Sequence, residues 1–350
     1  MRQKTLILLS VATLILLLAA IFMPSTGTTR TPPATGAGPV FPTLKDWVGT
    51  AARIVIKGAD GTVTLDRGSA APGAGEPQAA WTVAEKSGYP ASAASVQQLV
   101  NSLQTLRYVE PKTRRPDLFP RLEVEEAGKP EAKSRQVEVF DGNGARIAGV
   151  IIGKAHYGGA LGGDDGVYIR LPEDAQSWLA QPPVTVSSDV LGWIDRRVTD
   201  IDPGRVQSVA LTGPDGKTLT IGRATATDML SVRELPPNTK LKSGDPVVAI
   251  GAAFRGVELT DVRPATQLGT TGASSAQLVT LDGLTVNLAL VDQDGGTWAI
   301  VTASGTGDAA KEAADLAAAT KGWAYKLPTG KASVLKTRLA ELIEAPAKPS

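Results

Sequence analysis

The stretch WTVAEKSGYPASAASVQQLVNSLQTLRYVEP, Trp81–Pro111, reads as a strand end, a Tyr-Pro turn and an amphipathic helix. Apolar residues recur at helical spacing with polar residues between them, which predicts a helix from about Ser92 to Tyr108. Pro90 favours a turn before this helix. We expect Trp81 and Tyr89 to pack the strand against the helix rather than to form a ligand-binding aromatic site. The apolar positions of the helix are Val96, Leu99, Val100, Leu103 and Leu106.

Hairpin patterns occur on both sides of this stretch. Alternating apolar residues around an Asp-Gly pair are a strong hairpin signal, and they occur at Arg53–Arg67 and again at Val206–Arg223. The expected turns are Asp60-Gly61 and Asp215-Gly216. Further hairpins are predicted at Ser134–Gly153 and Ala276–Val291, followed by single strands at Gly166–Pro172 and Thr297–Ser304.

The second half also contains a helix pattern between its hairpins. Asp245 is a plausible N-cap with Pro246 at the first helical position, and Val247, Ile250, Phe254 and Val257 then share one face. Each half thus has the order hairpin, helix, hairpin, strand, which is a weak internal repeat. The sequence therefore predicts an α+β fold of two similar mixed domains, each a mostly antiparallel sheet with one main covering helix. The expected boundaries are 43–200 for the first repeat and 201–350 for the second.

Two further segments are predicted to be helical. Leu191–Asp202 is expected to form a short helix at the joint between the repeats. Lys331–Glu344 predicts a final amphipathic helix with a stripe of apolar residues, Val334, Leu335, Leu339 and Leu342. This stripe can dock on its own domain or on another protein, and the sequence leaves both alternatives open.

The N-terminus carries a strong membrane signal. Residues 5–23 contain no charge, and their length suits a helix that crosses the hydrocarbon core. A cleavable signal peptide usually has a shorter apolar region, but cleavage after Leu18-Ala19-Ala20 remains an alternative. Arg2 and Lys4 precede the span, so residues 1–4 are expected in the cytoplasm and the body outside it. Residues 24–42 are rich in Pro, Gly, Thr and Ser and predict a tether.

Composition excludes several classes of function. The net charge is +1 and the Lys and Arg residues are scattered, so the chain as a whole carries no nucleic-acid signature; the only basic doublets are Arg114-Arg115 and Arg196-Arg197. The chain has no cysteine, which excludes disulfides, thiolate nucleophiles, iron–sulfur clusters and cysteine-based zinc sites. It also excludes a lipoprotein anchor, which requires an acylated cysteine.

Candidate chemical groups are few. His156, the single histidine, lies in a glycine-rich loop with Asp164-Asp165, and Asp174 is nearby. The loop has neither calcium-loop spacing nor a P-loop ending, so turn chemistry is the better interpretation. The stretch 292–296, DQDGG, invites the same metal hypothesis and the same answer. We therefore predict no catalytic, cofactor-binding or metal-binding residue and no cofactor. The six tryptophans, Trp47, Trp81, Trp178, Trp193, Trp298 and Trp323, are expected to serve mainly in packing.

The order of these features resembles the bacterial DUF4340 family, a domain of unknown function. The resemblance is carried by the N-terminal anchor, the RIVIKGADG hairpin, the Trp and Tyr-Pro before the helix, TRRPDLFPRLEV (Thr113–Val124), the IIGK and GVYIR strands, and LGWIDRRVTDID. The second half departs most, since it has MLSVRELPPNTK before its helix and GTTGASSAQ where the first half has TRRPDLFPRL. The resemblance implies a single-span envelope protein associated with gliding-motility-type ABC transport systems, and it supplies no catalytic residues.

These observations together predict a function without catalysis. We expect a periplasmic scaffold or accessory subunit in the bacterial inner membrane, anchored by residues 5–23, with ABC permease and ATPase subunits as implied partners. An extracytoplasmic module that binds glycan or peptide is the alternative, and it predicts accessible aromatic residues. A hydrolase is a third hypothesis, and it predicts a pocket with paired carboxylates whose pKa values are perturbed.

Overall fold

The chain divides into two compact units. The computed structural model describes residues 38–44, 49–68, 81–158, 164–233, 235, 237, 239–242, 246–269 and 272–344. The first unit comprises the described residues up to Glu85 together with Pro90–Trp193. The second comprises Lys86–Tyr89 and the residues from Ile194 onward. The predicted membrane span, 5–23, lies outside the described residues, as do Trp47 and Asp245; within the described ranges, no helix has the length and apolar character needed to cross a membrane.

The first unit is built on one sheet. The strands lie in the order β1-β6-β10-β9-β8-β7-β2-β3-β4-β5, and the neighbouring strands from β1 to β4 in this order pair antiparallel. The ranges are β1 (Gly38–Pro39), β2 (Ala51–Gly58), β3 (Gly61–Arg67), β4 (Trp81–Val83), β5 (Tyr89–Pro90, where the chain returns from the second unit to the first), β6 (Arg107–Pro111), β7 (Arg135–Asp141), β8 (Arg146–His156), β9 (Gly166–Arg170) and β10 (Ser177–Gln181).

The main helix of this unit is α1, Ala93–Thr105. Ser92 caps it, because its side-chain oxygen accepts a hydrogen bond from the backbone N–H of Ser95 at 3.2 Å. Val96, Leu99 and Leu103 are buried, as the helical spacing predicts. The prediction that the helix continues to Tyr108 is wrong, because residues 107–111 form β6 and the Tyr108 ring packs at 4.8 Å from that of Trp178.

The segment after β6 covers part of one face of the first sheet. This segment contains a short 3-10 turn and the helix α2, Phe119–Leu122. Phe119 and Val124 form a small core with Ile151 of β8. Gly153 lies beneath the segment, and a Cβ there would stand 2.3 Å from the Leu122 carbonyl oxygen. Val150, Ile151 and Ile152 of β8 are all buried, so the sheet is packed on both faces at this strand.

Residues at the start of the described chain also belong to the first unit. Gly38–Pro39 pair with β6, and the backbone N–H of Val40 donates to the Leu106 carbonyl at 2.8 Å. Val40 and Phe41 are buried. The last residues of the segment predicted as a tether thus contribute a strand and two core side chains.

The second unit has an eight-stranded sheet in the order β14-β13-β12-β17-β18-β19-β20-β16, and β11 pairs with β15 beside it. All of these pairings are antiparallel. The ranges are β11 (Arg197–Thr199), β12 (Val206–Thr212), β13 (Thr218–Gly222), β14 (Ser231–Val232), α3 (Pro246–Gly251), β15 (Val257–Glu258), β16 (Asp261–Pro264), β17 (Ser274–Thr280), β18 (Leu284–Gln293), β19 (Gly296–Gly305), α4 (Ala310–Thr320), β20 (Trp323–Lys326), α5 (Thr329–Leu335) and α6 (Leu339–Leu342).

The longest helix described in the second unit is α4, which lies against β18 and β19. Its inner face consists of small residues, among them Ala313 and Thr320. A Cβ at Gly305 of β19 would lie 2.6 Å from the Ala309 carbonyl oxygen, so glycine permits this close approach of strand and helix. The predicted helix at Pro246 is present but has only six residues, and Phe254 and Val257 are buried beyond its end.

Both units repeat one strand order. In the first unit, β4-β3-β2-β7-β8-β9-β10-β6 are consecutive neighbours; in the second, β14-β13-β12-β17-β18-β19-β20-β16 are. One register detail also recurs, since Trp178 pairs with Pro111 and Trp323 pairs with Pro264. The α+β class with antiparallel sheets is therefore confirmed, and all four predicted hairpins are present.

Several local predictions are wrong. The first hairpin turns at Ala59-Asp60, because Gly58 pairs with Gly61. The predicted joint helix, Leu191–Asp202, is a 3-10 turn at Val190–Trp193 followed by β11. The final helix is broken into α5 and α6, because Lys336, Thr337 and Arg338 leave the helical conformation. Its leucine stripe packs within the second unit, where Leu335 and Leu342 are buried.

Candidate functional site

The described residues of the second unit form an open groove. Its volume is about 740 Å³, within the range of small-ligand sites. One wall is the β18–β19 turn, and the other is α5 with the residues before it. The turn at Asp294-Gly295 is a two-residue hairpin turn with positive φ at both positions, a geometry that Asp-Gly pairs favour. The groove therefore forms where the stretch 292–296 was predicted to make a turn.

The side of the groove next to α5 carries a closed triangle of polar groups. The Lys336 ammonium donates to both carboxylate oxygens of Asp292, at 2.8 and 3.0 Å, and lies 3.1 Å from the Thr297 hydroxyl. Thr297 donates to Asp292 at 2.6 Å. The hydrogen bond from Lys336, and after it the one from Thr297, hold the pKa of Asp292 below its usual range. Asp292 is thus an ionised structural partner, since a general acid would need a raised pKa.

A second charged pair lies beside the same turn. The Arg263 guanidinium donates to Asp294 at 2.6 Å and stacks on Trp298, 3.8 Å from the ring centroid. The hydrogen bond from Arg263 lowers the pKa of Asp294 below its usual range. The Trp298 indole N–H donates to the Gln293 carbonyl at 3.1 Å, and the ring is buried. Arg263 and Trp298 thus stabilise the turn, and Trp298 is not among the residues that line the groove.

Lys326, at the end of β20, differs from the other charges of the groove. Its ammonium makes no hydrogen bond or ion pair with any residue in the described ranges, although its charge contributes to lowering the pKa of Asp294. Its side chain crosses over Gly296, where a Cβ would stand 2.3 Å from Lys326 Cε. Glycine at 296 therefore gives the lysine its path into the groove.

The corresponding loop of the first unit contains the other candidate residues. It connects β8 to β9 as the Asp294-Gly295 turn connects β18 to β19. His156 ends β8, and its Nδ1 lies 3.3 Å from the Tyr168 hydroxyl. Asp165 accepts a hydrogen bond from the Gly158 backbone N–H at 3.0 Å, and Asp164 is exposed. The two loops that invited a metal hypothesis thus occupy equivalent positions in the two sheets.

Asp174 takes part in a structural cluster around Arg170. Arg170 is 3% exposed, and its guanidinium donates to the Val124 carbonyl at 2.9 Å and the Asp174 carbonyl at 3.1 Å. It also pairs with Glu126 and lies over the Phe119 ring, 4.7 Å from the centroid. The Asp174 carboxylate accepts the Gln176 backbone N–H. Arg170 therefore fastens the segment after β6 to the sheet, a role that the sequence did not signal.

The aromatic residues act mainly in packing, as predicted. Trp178, Trp193 and Trp298 are buried, and Trp81 and Trp323 are half-buried. The expected partner of Tyr89 is wrong. Tyr89 belongs to the second unit, where its ring packs edge-on against Trp323 at 4.9 Å and lies near Tyr325; in the same segment, Lys86 donates to Asp261 at 2.7 Å. Burial raises the pKa of Tyr325.

The charged groups of the groove are mostly engaged with one another. Among the described residues, no group of three His, Asp or Glu side chains is placed to hold a metal ion. Asp292 is paired with Lys336, and Asp294 is paired with Arg263. Lys326 forms no ion pair with a residue in the described ranges. The sequence signalled the turn at 292–296, but it did not signal Lys326 or Lys336, because β20 and α5 approach the turn only in the folded chain.

The fold defines an α+β protein with one antiparallel sheet topology in each of two units. The model of the domain of unknown function DUF4340 matches residues 81–276, more than half of the 350-residue chain, and the match runs from β4 of the first unit into β17 of the second. The chain therefore belongs to the DUF4340 family. No curated protein and no solved structure matches it.

Proposed function

We propose that the protein is a membrane-anchored periplasmic scaffold or accessory subunit, built from two repeats of one α+β module and without enzymatic activity. Residues 5–23 form the anchor in the inner membrane, with residues 1–4 in the cytoplasm. The body serves an ABC-type transport or gliding-motility-like assembly, whose permease and ATPase are separate chains. The transport connection rests on the resemblance to other family members, which is an associative argument.

The observation that carries this proposal is the strand order common to both units. A duplicated sheet offers two similar surfaces for partners. The two copies differ mainly outside their shared strands: the first has α1 as its longest helix, and the second has α4 between β19 and β20. Such divergence around a common sheet suits surfaces that bind different partners.

The pKa values of the ionisable groups favour a structural role over a catalytic one. Glu138, Asp282 and Asp292 all have pKa values below the usual range and are each paired with Lys or Arg. A hydrolase would need a carboxyl group whose pKa is raised toward neutrality opposite an ionised one. Paired, ionised carboxylates instead support a structural role. An extracytoplasmic binding module for glycan or peptide is the second candidate, and the 740 Å³ groove favours it.

Crosslinking in intact membranes tests the proposal. Membranes that contain the full-length protein are crosslinked and solubilised gently, and the captured proteins are identified by mass spectrometry. We expect ABC permease and ATPase subunits in amounts that exceed those from a matched membrane protein with the same anchor and tether but an unrelated body. Recovery of the protein alone, or of cell-wall fragments only, would remove the transport assembly from the proposal and favour the binding module.

A fractionation experiment tests the anchor separately. The intact chain is compared with a variant in which residues 5–23 are replaced by a cleavable signal peptide. We expect the intact chain in the membrane fraction with Met1 or Arg2 at its N-terminus, and the variant in the periplasmic fraction. A mature N-terminus beginning near Ile21 in the intact chain would show that the segment is a cleaved signal instead.

A further inference from the structure

One lysine that lines the groove of the second unit, Lys326, has no ion-pair partner among the residues that the structure describes. Lys336 is paired with Asp292, and Arg263 with Asp294. Lys326 has no ion pair with a described residue, although its ammonium is held beside the turn by the path over Gly296. We propose that the groove binds a polypeptide segment through one carboxylate of that segment, which forms an ion pair with Lys326.

The charge count favours a carboxylate over a phosphate. One unmatched ammonium neutralises one negative charge, and the two aspartates nearby would repel the second charge of a phosphate dianion. Hydroxyl groups of Thr329 and Ser333 also line the groove, and neither makes a side-chain hydrogen bond with a described residue. These hydroxyls can donate to a carboxylate or to a peptide carbonyl.

The lining favours a peptide over a glycan. Sugar rings commonly stack on exposed aromatic faces, but the groove lining contains no aromatic residue within the described ranges. Trp298 is 3% exposed and is stacked beneath Arg263. Gly295 and Gly296, which have no side chains, are instead part of the lining, so an extended chain can lie close to the turn.

In the first unit, the described residue at the position equivalent to Lys326 carries no charge. Gln181 ends β10 as Lys326 ends β20, and these strands pair with the equivalent strands β6 and β16. Gln181 carries no charge, and its side-chain amide donates to the Asp164 carbonyl at 3.3 Å. The inference therefore assigns carboxylate binding to the second unit alone. It does not depend on the membrane location or on the transport assembly.

Carbodiimide coupling provides the test, because it joins a carboxylate to an amine that it contacts. The full-length protein in detergent is incubated with a hexapeptide, acetyl-Gly-Gly-Glu-Gly-Gly-Gly-amide, and coupled adducts are mapped by mass spectrometry. We expect adducts on Lys326 to exceed those on Lys321, an exposed lysine outside the groove, by about fivefold, the ratio expected for an ion pair worth about 1 kcal/mol. Adducts that follow exposure alone, with Lys321 equal to Lys326, would overturn the proposal.

Two variants and two competitors sharpen the result. Gly296→Ala pushes the lysine stem out of its path and should lower adduct formation at Lys326, although the amine itself is retained. Gly269→Ala is the matched control, since a Cβ there meets no atom within 4 Å. An equal Lys326 adduct yield in both variants would contradict the proposed geometry. The two competitors are oligogalacturonate and inorganic phosphate. If either one suppresses the Lys326 adduct at a concentration below that of the hexapeptide, the groove is reassigned to a glycan or a phosphate.

Discussion

Substitution of Gly153 by alanine tests whether the segment after β6 is a fixed part of the first unit. A Cβ at position 153 would stand 2.3 Å from the Leu122 carbonyl oxygen, 2.8 Å from Val124 Cγ1 and 2.9 Å from the Glu123 carbonyl oxygen. Real Cβ contacts are essentially never shorter than 3.0 Å, so the Leu122 carbonyl must retreat by about 0.7 Å.

The expected cost lies at the upper end of the range for overpacked cores. Two of the three crowded atoms are backbone oxygens, which cannot rotate away as a side chain can. Small-to-large changes in packed cores cost about 1–3 kcal/mol. We expect Gly153→Ala to lower the free energy of unfolding of the first unit by about 3 kcal/mol. With a urea slope of about 2 kcal/mol per molar, the midpoint falls by about 1.5 M.

Urea unfolding and hydrogen exchange measure this effect in the full-length protein. Gly142→Ala is the control, because a Cβ there meets no atom within 4 Å. In Gly153→Ala, amides of residues 113–124 should lose protection, while those of β12 and β17 in the second unit keep theirs. If the two variants have the same midpoint and the same exchange in residues 113–124, the packing of this segment on Gly153 is refuted.

Two other substitutions address charges in the first unit. Arg170→Met should lower the free energy of unfolding by about 2–3 kcal/mol, since charged hydrogen bonds to two backbone carbonyls are lost, whereas exposed Arg121→Met should stay within about 0.5 kcal/mol. Burial opposes the ionisation of Glu138, but the charges and hydrogen bonds of Lys57 and Arg146 outweigh burial and lower the pKa of Glu138. The ionised carboxylate therefore stabilises the fold above the pKa of the unfolded state, and this stabilisation is lost as the pH falls through the pKa of the folded state. The stability difference between wild type and Glu138→Gln should therefore shrink between pH 7 and pH 3, and a constant difference in urea midpoints would contradict this.

The sequence predicted those elements whose pattern is local. The four hairpins follow from alternation and turn residues, and α1 follows from its apolar face and the Ser92 cap. The helix α4 was missed because its inner face is made of alanines and a threonine, so it has little hydrophobic contrast. It is stabilised by close approach to Gly305, which is a tertiary feature.

The candidate groove could be predicted only in part, for the same reason. The Asp-Gly turn was visible, but its neighbours in the groove lie about 30 or more residues away, both before and after it in the chain. Lys336 shows how tertiary contacts changed a local prediction. It was expected within a continuous helix, yet it ends α5, where its ammonium binds Asp292, and Arg338 two residues later contacts Ser274. These contacts favour a break in the helix that the periodicity of its apolar residues does not predict.

Substitutions at two tryptophans of the first unit distinguish the contribution of indole packing to stability from that of the hydrogen bond made by the indole N–H. Trp178 and Trp193 are both 4% exposed. The Trp193 N–H donates to the Ser187 carbonyl at 2.9 Å, whereas the buried Trp178 N–H has no partner among the described residues. An unsatisfied buried donor costs about 1–3 kcal/mol, so phenylalanine at 178 removes a penalty, while phenylalanine at 193 removes a hydrogen bond. Trp193→Phe should therefore be more destabilising than Trp178→Phe by about 1–3 kcal/mol in urea unfolding. Equal losses would mean that packing alone determines both sites.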